Sequence, residues 1–138
     1  MHMEFFSQKN LKNEIVKVLY ENKRVVFAYL YGSFLHEDRG NDIDIGIYSQ
    51  ADEEPYKLSA DLKIELHHRT NLIPDFFDIR VLNRFDEQCN VFDLLFLKNI
   101  LENGHLLINK DPVIHADFLE RYGTRFRECE GLIQEVLA

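Results

Sequence analysis

A seven-residue run without a charged or small polar side chain, Val25-Val26-Phe27-Ala28-Tyr29-Leu30-Tyr31, ends abruptly in Gly32-Ser33. A strand that is apolar on both faces belongs in the interior of a sheet. The Gly-Ser pair at its end predicts a tight turn whose backbone can come close to an anion, with N–H groups suited to phosphate. Eight residues separate Ser33 from Asp42-Ile43-Asp44, which opens a second apolar run, Ile45-Gly46-Ile47-Tyr48. Residues two apart on a strand share a face, so Asp42 and Asp44 stand side by side at the mouth of the sheet. Like charges so placed repel unless a cation lies between them. Mg²⁺ suits the position, because it takes carboxylate oxygens and keeps coordination sites open for substrate phosphates. Gly-Ser turns and Asp-x-Asp strand ends are each common; their order here, strand–turn–strand, is what predicts metal-assisted nucleotidyl transfer.

At 138 residues the chain is expected to form one domain, 1–138, with room for a proper core. A net charge of -8 argues against direct nucleic-acid binding, which depends on Lys and Arg neutralising phosphates, and would suit a basic protein partner. Cys89 and Cys129 are too few and too far apart in sequence to suggest a disulfide framework or a zinc site, which predicts a reduced, cytoplasmic setting. No apolar run approaches the ~20 residues of a membrane span.

Periodicity supplies the remaining elements. Leu11, Ile15, Val18 and Leu19 predict a helix over about 8–22, and Leu58, Leu62 and Leu66 predict another from Pro55 to about Arg69. Residues 34–40 read as a short helical turn and loop. Phe76 to Leu82 reads as a third strand and 88–102 as a helix that Gly104 closes as a C-terminal cap. His105 to Asn109 is a short strand, and Asp111-Pro112 starts a last helix with an N-cap and a proline at the first helical position. That helix carries Ile114, Phe118, Tyr122, Phe126, Cys129, Ile133 and Val136 on one face, and its length suggests a break at Gly123 or Gly131. The expected architecture is an α/β (α+β) domain, a small mixed sheet flanked by helices. The His67-His68 pair at a helix end reads as favourable placement at a C-terminus rather than as metal ligands.

Two-metal phosphoryl chemistry calls for more carboxylate than one strand provides. Asp78 is the candidate third acid, since acids are disfavoured within central strands and this one sits between Phe77 and Ile79. The competing reading pairs Asp78 with Arg80; Asp75 is the fallback. In the expected reaction Asp42, Asp44 and Asp78 act on a triphosphate held at Gly32 and Ser33. An acceptor hydroxyl attacks the α-phosphorus in line, pyrophosphate leaves, and Asp78 directs the acceptor proton.

Tyr31-Gly32-Ser33 followed by Asn41-Asp42-Ile43-Asp44-Ile45 resembles the motif of the polymerase-β-like nucleotidyltransferases. The short length, the run Asp78 to Asn83, and the helix, Gly104, strand and Asp111-Pro112 that follow resemble the minimal nucleotidyltransferase (MNT) antitoxins of HEPN/MNT toxin–antitoxin pairs. The resemblance covers about residues 11 to 135. It implies ATP- and Mg²⁺-dependent transfer of AMP to a tyrosine of a HEPN ribonuclease toxin, with Asp42, Asp44 and Asp78 as catalytic metal ligands and Gly32 and Ser33 on the nucleotide. It implies a hetero-oligomer with that toxin and leaves room for a homodimer. The chain departs from the pattern in a short Ser33–Asp42 interval and in Leu35-His36-Glu37, where a basic residue often meets phosphates; Arg39 is the substitute that loop offers. Two other functions fit the same residues. One is an antitoxin of this fold that neutralises by contact alone. The other is a small-molecule nucleotidyltransferase, disfavoured because such enzymes usually carry an added acceptor domain.

Overall fold

The computed structural model of the chain describes residues 8–32, 42–50, 54–85 and 90–138. Helix α1 (Gln8–Glu21) leads into β1 (Val25–Tyr31), and β2 (Ile43–Ser49) returns antiparallel to it with Tyr31 opposite Asp44. Helix α2 (Pro55–Thr70) begins at Glu54, whose carboxylate accepts from the Tyr56 and Lys57 amides. It ends at Asn71, a left-handed cap with φ 62. A 3-10 turn (Pro74–Phe76) then delivers β3 (Phe77–Val81) parallel to β2. Helix α3 (Val91–Asn103), β4 (His105–Asn109), α4 (Pro112–Glu128) and α5 (Glu130–Leu137) complete the described chain.

The sheet order is β3-β2-β1-β4. The central position of β1 follows from its composition, since every residue of it is buried. The pleat sorts side chains onto two faces. Val25, Ala28, Leu30, Ile43, Ile45, Ile47, Phe77, Ile79 and Ile108 meet α1 and α2 in one core. On the other face Phe27, Tyr29 and Tyr31 meet Leu97 and Ile100 of α3 and Phe118 of α4. A third cluster, Leu94, Cys129 and Ile133, ties α5 to α3.

Two expectations need correction, and a third holds for a different physical reason. The last helix breaks at Cys129, between α4 and α5, and not at either glycine. Gly104 does end α3, yet its φ is -82, so no left-handed cap requires glycine. Space does: a Cβ there would meet the Ile100 carbonyl oxygen at 2.5 Å and the Leu30 carbonyl oxygen at 3.1 Å. Cys129 is disulfide-bonded, against the expectation of unpaired thiols, while the other cysteine of the chain, Cys89, lies outside the described residues. Cysteine pairing depends on distance in space, which sequence separation does not report. The turn expected over 34–40 also falls outside the described residues.

Candidate active site

Parallel pairing of β2 with β3 sets Asp44 directly opposite Asp78. Asp42 immediately precedes β2, and its charge acts on Asp44 as that of Asp78 does. Asp75 lies exposed in the 3-10 turn ahead of β3, off the strand face that carries Asp78. Gly32 follows β1 with φ 83, a left-handed conformation that glycine adopts without steric cost. A side chain there would overlap Oδ2 of Asp44, so glycine serves both the turn and the carboxylate beside it. Ser33 and Arg39 lie outside the described residues.

The electrostatics are those of crowded anions. Burial pushes the Asp44 carboxyl upward, the charges of Asp78 and Asp42 push it further, and Arg80 pulls it down. Arg80, the partner that the competing reading gave Asp78, does pair with it, and the period of two puts both on one face. Its guanidinium lies 3.6 Å from Asp78 Oδ2 and over the Phe96 ring, 5.4 Å from the centroid. Both partners of this ion pair are about half exposed, at 53% and 45%, so screening keeps its contribution small. A side-chain clamp holds the far ends of the two acid-bearing strands together. Asn83 accepts from the Ser49 amide at 3.0 Å and donates to the Ser49 carbonyl at 2.8 Å.

Among the described residues no three His, Cys, Asp or Glu side chains converge as a ready-made metal cage. The donor chemistry nonetheless fits a divalent ion. Burial and the charges of Asp78, its register partner, and of Asp42 raise the cost of charging Asp44, and a cation offsets that cost. His67 and His68 form no part of this: His67 Nδ1 pairs with the Leu72 carbonyl at 2.9 Å, which seats α2's end on the following connector.

A sheet that presents acids from two parallel strands beside a glycine turn is the framework of a nucleotidyltransferase. Residues 13–113 match the family Polymerase beta, Nucleotidyltransferase, and the chain belongs to that family. Within solved structures its fold is similar to chains of toxin–antitoxin complexes. One is the complex of tri-AMPylated Shewanella oneidensis HEPN toxin with MNT antitoxin: 20% identity, TM-score 0.59, covering 96% of this chain and 100% of that chain. The MntA–HepT toxin–antitoxin gives 19% identity and a TM-score of 0.57 over 94% of this chain and 99% of that chain. A toxin–antitoxin structure with AMP-PNP gives 21% identity and 0.59 over 92% and 98%. At such identities the likeness is one of fold. A comparison with curated proteins finds no match.

Proposed function

We propose that this chain is an MNT antitoxin that transfers AMP from ATP to a tyrosine hydroxyl of a HEPN-type toxin and thereby silences it. The observation that carries the reading is the register pairing of Asp44 with Asp78, with Asp42 just ahead of β2, beside the left-handed turn at Gly32. A complex of an MNT antitoxin, whose fold this chain resembles, with a tri-AMPylated HEPN toxin supports a toxin as the acceptor. Asp42, Asp44 and Asp78 would hold Mg²⁺, which when bound neutralises phosphate charge. Gly32 leaves the turn free for a phosphate to approach, and Ser33 is the hydroxyl residue that follows it in the sequence. The acceptor oxygen forms a bond to the α-phosphorus as the bond from that phosphorus to the β-phosphate oxygen breaks. Pyrophosphate leaves, and the tyrosine proton passes toward the carboxylate of Asp78 and on to solvent.

Intact-mass measurement of a HEPN toxin encoded beside this chain, incubated with it, ATP and Mg²⁺, tests the reading. One or more AMP additions on the toxin are expected. A toxin neutralised without any added mass would replace this reading with neutralisation by contact.

A further inference from the structure

Tyr31 ends β1 opposite Asp44 and projects on the face that carries the acids. Its ring meets Phe96 of α3 edge-on at 5.5 Å, and only 6% of the residue is exposed. Among the described residues its hydroxyl has no hydrogen-bond partner. Tyr29, two residues earlier on the same face, shows the ordinary solution, with its hydroxyl 2.7 Å from His115 Nε2. A buried hydroxyl without a partner costs stability, and a phenylalanine at 31 would keep the ring contact without that cost. The anions whose charge reaches the hydroxyl are Asp44 and Asp78, and the cation is Arg80. A phenol keeps its proton at neutral pH and so has a hydrogen bond to give.

We propose that Tyr31 is a positioning residue whose hydroxyl donates a hydrogen bond to the Asp44 carboxylate once that carboxylate ligates a divalent cation. A carboxylate that gives one oxygen to an ion is generally held by a hydrogen bond to its remaining lone pairs, which fixes its orientation. Asp44 is bounded by the Gly32 backbone on one side, and Tyr31, which precedes Gly32, is the buried donor opposite it in register. Without a cation, repulsion from Asp78 and Asp42 acts on the same carboxylate, and the phenol has no bond. The inference rests on the metal-binding reading of the three acids.

The test compares wild type, Tyr31→Phe and the double variant Asp42→Asn with Asp44→Asn, all as the full chain. Thermal melting in EDTA is read beside Mn²⁺ binding followed by electron paramagnetic resonance. Tyr31→Phe should melt at or above wild type in EDTA, yet bind Mn²⁺ about 10-fold more weakly, the size seen when a ligand's outer hydrogen bond is removed. The double variant should lose Mn²⁺ binding. Equal Mn²⁺ affinity of Tyr31→Phe and wild type overturns the inference alone, provided the double variant has lost the ion. A lower melting temperature of Tyr31→Phe in EDTA also overturns it, because the hydroxyl then serves the metal-free fold. Undiminished Mn²⁺ binding by the double variant overturns both this inference and the reading beneath it.

Discussion

Each acid of the site has its own expected effect. Asp44 has a pKa raised by burial and by the Asp78 and Asp42 charges, so its folded state holds a proton more firmly than the unfolded chain does. The stability tied to that proton is present below the ordinary value of 3.8 and is lost as pH rises through the folded pKa. At neutral pH without metal the ionised group therefore weighs against folding. Asp42→Asn with Asp44→Asn should abolish AMP transfer while raising the melting temperature in EDTA. Retained transfer by a folded double variant would remove these residues from the chemistry. Asp78→Ala should leave ATP binding largely unchanged and remove most turnover, whereas Asp75→Ala should do neither, because Asp75 sits exposed in the turn before the strand. Equilibrium binding of labelled ATP beside single-turnover transfer separates the two acids; the reverse pattern would make Asp75 the third carboxylate.

At the scale of elements, α4 decides how the acid-bearing face is closed. Its N-cap, Asp111, accepts from the Val113 and Ile114 amides at 3.1 Å each. One turn in, His115 bonds Tyr29 of β1, approaches Asn109 of β4 at 3.2 Å and meets the Phe27 ring at 4.6 Å. Burial lowers the His115 pKa, so the unfolded chain takes up its proton more readily than the fold does. The stability it contributes is present above the ordinary value of 6.5 and is lost as pH falls through the folded pKa. Denaturation curves should show stability declining as the solution is acidified below that value, with a shallower decline in His115→Gln. An unchanged slope in that variant would assign the decline to other groups. Phe118 is 0% exposed and lies against Phe27 and Tyr48 at 5.3 Å. Phe118→Ala should cost about 3–5 kcal/mol in stability. A denaturant titration with little loss would mean that α4 packs less firmly than it stands here.

Across the whole molecule, two helical layers enclose the sheet, and the acids stand at one end of it. With Phe118 sealed in the core, the large apolar side chains that α4 and α5 do expose are Val113, Ile114, Leu119, Leu132, Val136 and Leu137. A net charge of -8 spread over a chain of this size would steer a basic partner toward it. No described helix is long and apolar enough to cross a membrane.

The local signals in the sequence were sufficient for most elements. The uninterrupted run from Val25 to Tyr31 is the central strand expected of it, and Asp111-Pro112 opens a helix, because both depend on neighbours in sequence. Period two likewise fixed Asp78 with Arg80 as a same-face pair. Tertiary structure decided what depends on distance across the chain. The parallel register that joins Asp44 to Asp78 and the Leu30 carbonyl that crowds Gly104 bring together residues far apart in sequence. The contrast between Tyr29, bonded to a histidine 86 positions away, and Tyr31, buried without a bond, is of the same kind. Periodicity assigns a side chain to a face; only the folded chain determines what waits for it there.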